Sequence, residues 1–103
     1  MIMKSIDVDD CHFEWYYYSH IGNFSSERIT IKKGDGEEVL AFESEAVATD
    51  FEIRSGSLVI RTYAPMKAAI IRKADTTVYG YRVVLDTTAT IEDFRKRPDW
   101  RKE

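Results

Sequence analysis

The residues best suited to chemistry lie near the N-terminus, where Cys11 and His12 are followed by Glu14 and His20. Imidazole, thiol and carboxylate groups are the usual metal ligands and acid–base groups of proteins. His12 and His20 would share one face of a straight strand, but about 26 Å would separate them at the usual rise per residue. They therefore cannot bind one ion. His12 and Glu14 could bind together, yet two ligands make an incomplete metal site.

Cys11 and His12 resemble a nucleophile and its general base only in their order along the chain. Neighbouring strand side chains point to opposite faces, so the imidazole should turn away from the thiol, and we predict that Cys11 is a small buried residue. Asp7, Asp9 and Asp10 lack the glycine and distal glutamate of a calcium loop, which favours solvated charges. The chain also lacks the short motifs of hydrolases, zinc proteases and nucleotide-binding proteins. We therefore expect no catalytic residue, no metal and no cofactor.

The strongest pattern in the chain is an aromatic run in which positions 13–18 hold five aromatic residues. The alternation of a strand divides this run and its flanks into two rows. One row is apolar and contains Cys11, Phe13, Trp15 and Tyr17. The other row is amphipathic and contains His12, Glu14, Tyr16, Tyr18 and His20. The first row predicts a core, and the second predicts the face on which a function would lie.

The amphipathic row supplies the candidate functional face. We assign to it Glu14, Tyr16, Tyr18 and His20, with Thr30 as the expected neighbour on the next strand. Aromatic rings supply contact area and phenols supply hydrogen bonds, which suits a protein interface as well as a stacking platform for a sugar or a base. We expect a non-enzymatic interaction module whose partner is a second copy, forming a homodimer, or another protein. The alternative is a small-ligand or carbohydrate-binding domain that uses the same two tyrosines.

The composition is that of a single globular domain spanning residues 1–103, with 44% hydrophobic and 32% charged residues. A lone cysteine excludes an intrachain disulfide and favours a reducing compartment, so we expect a cytoplasmic protein. No stretch approaches the roughly 20 apolar residues of a membrane span, which predicts that the protein has no membrane partner.

The net charge is −3, but the charges are unevenly distributed. Residues 1–60 contain five basic and twelve acidic side chains, whereas residues 61–103 contain ten basic and six acidic side chains. We interpret this asymmetry as cross-strand pairing between acidic and basic strands. The alternative is a dipolar surface that steers a partner or a second copy.

Residues 95–103 form a basic C-terminal tail that includes Trp100. A basic and aromatic segment beside a small β domain is also typical of nucleic-acid binding. The acidic sequence pI of about 5.4 disfavours a nucleic-acid partner. We predict that Trp100 anchors the tail to the sheet, and the alternative is a flexible tail.

Two turn signals place hairpins in the middle of the chain. An Asp35-Gly36 loop in a type I′ turn requires a positive φ at Gly36 and predicts the pairs Ile31 with Leu40 and Ile29 with Phe42. A Ser55-Gly56 loop predicts the pairs Ile53 with Leu58, Phe51 with Ile60 and Asp50 with Arg61. The apolar positions change parity between the two hairpins, so we predict a bulge, a bend or a crossover to a second sheet at residues 43–46.

Weaker signals outline the first and last hairpins. A three-residue loop at positions 22–24 would place Trp15 opposite Ile31. A last hairpin would join residues 67–73 to residues 78–86. The face of this hairpin that is richer in apolar and aromatic residues contains Tyr79, Tyr81, Val83 and Leu85.

A short helix should follow, because Thr90 and Asp93 have the spacing of an N-terminal capping box and Pro98 would end the helix. These elements predict an all-β fold, an antiparallel β-sandwich of about seven strands with a short C-terminal helix. A small β-barrel is the alternative. The predicted core contains Trp15, Ile29, Ile31, Leu40, Phe42, Phe51, Ile53, Leu58 and Ile60.

Overall fold

The computed structural model describes residues 2–20, 23–24, 26–45, 48–63 and 71–96. In these ranges the chain forms eleven β-strands and one short helix. The strands are, in chain order, β1 (Ile2–Val8), β2 (Cys11–Tyr16), β3 (Ser19–His20), β4 (Asn23–Phe24), β5 (Glu27–Lys33), β6 (Val39–Ser44), β7 (Ala48–Arg54), β8 (Ser57–Thr62), β9 (Ile71–Ala74), β10 (Thr77–Val78) and β11 (Tyr81–Asp86). The helix α1 (Ile91–Arg95) follows β11.

Most of these strands belong to two sheets, with the orders β1-β2-β5-β6-β9 and β10-β11-β8-β7, while β3 and β4 form a separate ribbon. The protein is therefore an all-β domain with a short C-terminal helix, which confirms the predicted fold class. The strands outnumber the expected seven because several contain only two residues. One pairing also departs from the antiparallel prediction, since β11 runs parallel to β8.

The core lies between the two sheets. Edge-to-face ring contacts join Phe13 to Tyr81 and Trp15 to Phe51 across the gap, with ring centroids 5.0 Å and 6.5 Å apart. The predicted apolar row is confirmed, because all of its members are buried: Cys11, Phe13, Trp15 and Tyr17. Burial of such large side chains is the main source of hydrophobic stabilisation in a domain of this size.

Most of the predicted core residues are buried, namely Trp15, Ile29, Ile31, Phe42, Phe51, Leu58 and Ile60. Leu40 and Ile53 are half-buried instead. Ile53 still packs against the buried cluster. The prediction is therefore wrong about full burial at these two positions, and at Leu40 the error has a local cause.

That cause is a β-bulge between β5 and β6. The pairs are Ile29 with Phe42, as predicted, and then Ile31 with Val39 instead of Leu40, because the register shifts between them. Ala41 and Phe42 are consecutive and both buried, as expected where a bulge interrupts the alternation of a strand. Because of the extra residue, Leu40 pairs with Thr30 and Val39 takes the position opposite Ile31, so the Leu40 side chain leaves the core.

The loop between β5 and β6 uses a different glycine from the one predicted. Gly34, rather than Gly36, has a positive φ of 53°. The N–H of Gly36 donates to the carbonyl oxygen of Lys33 at 2.7 Å, and a positive φ at the first central residue is typical of a type II′ turn. Glycine is still needed at position 36, because a Cβ there would lie 2.7 Å from that Lys33 oxygen and 3.3 Å from the Tyr79 hydroxyl oxygen.

The hairpin of β7 and β8 is as predicted. All three expected pairs are present, Phe51 with Ile60, Ile53 with Leu58 and Asp50 with Arg61. Ser55 and Gly56 both have positive φ, 47° and 78°, which is the pattern of a type I′ turn. The predicted crossover is also confirmed, since β6 and β7 belong to different sheets.

The pairing of β2 with β5 differs from the prediction by two residues. Trp15 lies opposite Ile29 rather than Ile31. The β3–β4 ribbon lies between the two strands in the chain, where the prediction had a three-residue loop. A two-residue shift returns every side chain to its own face, so the burial pattern of β2 is correct although its register is not.

The predicted last hairpin is wrong. β9 pairs with β6, and β10 with β11 forms a tight hairpin around Tyr79 and Gly80, whose φ values are 51° and 82°. Positions 67–70 of that prediction lie outside the described residues. The predicted richer face is nevertheless directed at the core, against which Tyr79, Tyr81, Val83 and Leu85 pack.

Helix α1 begins as predicted. The Asp93 N–H donates to the Thr90 hydroxyl at 3.3 Å, and the Thr90 N–H donates to the Asp93 carboxylate at 2.8 Å, which completes a capping box. Pro98, Trp100 and the rest of the tail beyond residue 96 lie outside the described residues. The anchor predicted for Trp100 therefore stays a prediction.

Candidate functional site

The outer side of the first sheet carries the candidate site. We call the surface formed by Ile2, Glu14, Tyr16, Tyr18, Arg28 and Glu38 the tyrosine face. The sheet register builds it, because β2 is flanked by β1 and β5, with Tyr16 opposite Ile2 on one side and Arg28 on the other. Strand alternation turns Glu14 and Tyr16 outward between the buried residues of β2.

The two candidate tyrosines are in contact. The Tyr16 and Tyr18 ring centroids lie 5.5 Å apart with an interplanar angle of 76°. The guanidinium carbon of Arg28 lies 5.5 Å from the Tyr18 ring centroid, a cation–π contact. Arg28 is also held by Glu43, whose carboxylate accepts from its Nε at 2.9 Å. This hydrogen bond raises the pKa of Arg28, so the guanidinium beside Tyr18 stays charged.

Thr30 is close to these residues but is not part of the accessible surface. It is 4% exposed, and its hydroxyl donates to the Glu38 carboxylate at 2.9 Å. Glu38 lines a shallow pocket of about 270 Å³ together with Ile2, Glu14, Tyr16 and Tyr18. Thr30 therefore positions Glu38, whereas Glu38 itself is a surface residue that the sequence analysis missed. No local pattern marks it, because the β5–β6 bulge and loop decide its position.

Burial raises the pKa of the Tyr16 phenol, and the neighbouring Tyr18 and the Glu38 charge raise it further. A tyrosine with a raised pKa stays protonated at neutral pH. Tyr16 can therefore act as a hydrogen-bond donor as well as an apolar surface.

His12 lies at the edge of the tyrosine face between two carboxylates. Its Nδ1 is 2.7 Å from Asp7 Oδ1, and its Nε2 is 3.0 Å from Glu14 Oε2. The hydrogen bond with Asp7, followed by that with Glu14, raises the pKa of His12. The predicted proximity of His12 and Glu14 is confirmed. The carboxylates bind opposite sides of one ring, so they do not converge on a single ion, and in the described part of the chain no group of three or more His, Cys, Asp and Glu residues could hold a metal.

Cys11 is buried, as predicted, with its Sγ 3.9 Å from Asp10 Oδ1. Burial raises the pKa of this thiol, and the Asp10 charge adds to the effect, which disfavours the reactive thiolate. Of the remaining candidates, His20 is placed by its backbone in β3 opposite Asn23. Its side chain lies outside the described residues. The structure therefore brings together Glu14, Tyr16, Tyr18 and the supporting Thr30. Whether the His20 side chain belongs to the tyrosine face stays a prediction.

Comparisons of the chain with protein-family models, with curated proteins and with solved structures give no match. Among the residues described here, no helix has the length and apolar character needed to span a bilayer.

Proposed function

We propose that this protein is a non-enzymatic interaction module that binds another protein through the tyrosine face. The proposal depends most on the exposure of Tyr18 and Ile2, which are 49% and 60% exposed on the outer side of the first sheet. Single exposed apolar residues are ordinary on protein surfaces, but these two border the same pocket as the half-buried Tyr16. Tyrosine and arginine are also enriched in protein interfaces.

The ring geometry favours a protein over a sugar. A sugar ring stacks through its C–H groups on an open aromatic face, whereas Tyr16 and Tyr18 meet edge to face at 76°. Arg28 also lies over the ring of Tyr18. An irregular protein surface can fit around such a corner, because several side chains supply contacts in different directions. Carbohydrate or small-ligand binding is therefore the second candidate, supported by the shallow pocket alone.

The face is also a better candidate than the outer edge of β7. Lys4 in β1 forms an ion pair with Asp50 in β7 at 2.7 Å and donates to the carbonyl oxygen of Phe51 at 2.9 Å. These contacts tie the edge strands of the two sheets together and occupy a backbone acceptor of β7. An edge strand whose backbone acceptor is occupied in this way is a poor template for a further strand.

The charge of the face indicates the chemistry of its partner. Glu14 and Glu38 both line the pocket, and none of the described residues that line it is a lysine or an arginine. Glu14 contacts His12 and Glu38 accepts from Thr30, whereas the Glu43 carboxylate is paired with the permanent charge of Arg28. Complementary charge favours a partner surface that combines lysine or arginine with apolar groups. A two-fold dimer through this face would bring Glu14 and Glu38 near their own copies, so we rank self-association below a different, basic protein.

Site-specific photo-crosslinking tests the proposal. A benzophenone amino acid replaces Tyr18 in one variant and Val84 in a control variant, since Val84 is 36% exposed on a strand of the second sheet. We expect a specific protein cross-linked at position 18 and not at position 84. The purified partner should then bind the tyrosine face with an affinity that falls as the salt concentration rises, because Glu14 and Glu38 are charged.

Identical cross-linking from both positions would contradict a partner-specific face. Saturable binding of an oligosaccharide, with NMR chemical-shift changes confined to Tyr16 and Tyr18, would favour the carbohydrate-binding alternative. Sedimentation equilibrium distinguishes a homodimer, since a self-associating face gives a mass that rises with concentration. A cytoplasmic location belongs to the same proposal and is supported by the single, buried Cys11 thiol.

A further inference from the structure

A second polar pocket lies where two tight turns meet at one end of the second sheet. It has a volume of about 310 Å³ and is lined by Ser55, Gly56, Ser57, Thr77, Gly80 and Arg82. The described residues that line it provide one cation and three hydroxyl groups, and none of them is a carboxylate. The pocket shares no residue with the tyrosine face, so the two sites are independent of each other.

The parallel pairing of β11 with β8 creates this pocket. Parallel strands begin at the same end of a sheet, and Arg82 lies opposite Ser57 near the start of both strands. Each strand follows a two-residue turn, Ser55-Gly56 before β8 and Tyr79-Gly80 before β11. Antiparallel pairing would have placed the two turns at opposite ends. The backbone N–H of Arg82 donates to the carbonyl oxygen of Gly56 at 3.2 Å and joins them directly.

Contacts within the chain define the conformation of both turns. Ser55 and Tyr79 adopt positive φ values of 47° and 51°, which is uncommon for residues with a side chain. Tyr79 is held in place by its hydroxyl, which donates to the carbonyl oxygen of Glu37 in the β5–β6 loop. A site assembled before its ligand arrives pays little ordering entropy on binding.

The charges at the pocket are unbalanced. Arg82 is exposed, and none of the described residues that line the pocket with it carries a negative charge. Arg54 precedes the same turn, but its guanidinium is paired with the Glu52 carboxylate at 2.6 Å. Guanidinium groups bind tetrahedral and planar oxyanions through two parallel N–H donors, and serine or threonine hydroxyls can donate to the remaining oxygens.

We propose that this pocket binds a phosphate-type oxyanion. Arg82 supplies the charge and the paired N–H donors, and the hydroxyls of Ser55, Ser57 and Thr77 donate to the other anion oxygens. The ligand is inorganic phosphate or the phosphate group of a small phosphomonoester, which present the same oxygens to the pocket.

Titration of ¹⁵N-labelled protein with inorganic phosphate, at constant ionic strength set with sodium chloride, tests the site. We expect saturable shifts of the Gly56 and Gly80 amides and of the Arg82 side-chain Nε–H. Arg82→Ala should raise the Kd about tenfold or more, since it removes charged hydrogen bonds. Thr77→Val removes a hydroxyl but no charge and should raise the Kd about threefold.

Arg54→Ala is the matched control, because it removes the same charge beside the same turn and should change the Kd by less than about twofold. A parallel titration with O-phosphoserine distinguishes the two ligand classes. A lower Kd for O-phosphoserine would indicate a phosphomonoester, and a lower Kd for inorganic phosphate would indicate the free anion. The absence of saturable shifts at Gly56 and Gly80 with both probes would overturn the proposal. An equal loss of affinity in the Arg54 and Arg82 variants would also overturn it, because general charge attraction would then explain the binding.

Discussion

The two faces of β2 differ in what they contact, although their residues alternate along one strand of six residues. On the inner face Phe13 and Trp15 are 0% exposed and meet aromatic rings of the other sheet. On the outer face Glu14 and Tyr16 are half-buried and contact charged or aromatic groups. Stability should therefore depend mainly on the inner face, whereas the binding that we propose would use the outer face, so substitutions should change one without the other.

Truncation on the inner face should have the largest effect. Trp15→Ala removes a fully buried indole that packs against Phe51 and should lower the free energy of unfolding by about 3–5 kcal/mol. That loss is a large part of the roughly 5–15 kcal/mol of a typical domain. Urea unfolding at 25 °C measures the free energy of unfolding. A folded variant with an unchanged unfolding midpoint would contradict the claim that stability depends mainly on the inner face of β2.

The faces of β2 could be predicted because alternation is a local property of the sequence. The inward burial of Phe13, Trp15 and Tyr17 follows from their spacing alone. The same is true of the β7–β8 register, where a two-residue turn fixes the pairing. The β5–β6 bulge and the parallel β8–β11 pair could not be predicted, since both depend on how distant strands pack.

The loop that carries Glu38 to the outer face should be the next most sensitive point. Gly36→Asn places a Cβ 2.7 Å from a backbone carbonyl oxygen and should destabilise the protein by about 1–3 kcal/mol. Gly34→Asn is the control, because Gly34 has open space around it and asparagine tolerates a positive φ of 53°. Its cost should stay below about 1 kcal/mol. Equal losses in thermal unfolding would show that close approach at Gly36 is not the constraint.

The members of the tyrosine face were only partly predictable for a related reason. Tyr16 and Tyr18 follow from the alternating pattern. Thr30 lies on the next strand opposite Glu14, but it is buried and so is not an accessible member of the face. Arg28 and Glu38 reach the face through the actual register of β5 and the bulged pairing of β6. A sequence pattern identifies which side chains share a face, but not which charges stand beside them.

The His12 contacts on the outer face should give a smaller effect that depends on pH. The pKa of His12 is raised in the folded protein by Asp7 and Glu14, so its stabilisation is fully present below the unfolded value near 6.5 and is lost as pH rises through the folded value. Urea unfolding of wild type and His12→Gln at pH 6 and pH 9 measures the difference. The side chain is 43% exposed, so the advantage of wild type at pH 6 should stay below about 1 kcal/mol. A difference between the two proteins that grows toward pH 9 would have the wrong sign.

Tyr18→Ala should have the smallest effect on stability, within about 0.5 kcal/mol, because the Tyr18 side chain is 49% exposed. Because Tyr18→Ala should leave the fold intact, the most direct test of the tyrosine face is the Kd of the partner cross-linked at position 18, measured for wild type, Tyr18→Ala and Val84→Ala. Loss of an aromatic anchor should raise the Kd about tenfold or more, whereas Val84→Ala should leave it unchanged. A Kd that is the same for Tyr18→Ala and wild type would contradict the assignment of recognition to the tyrosine face.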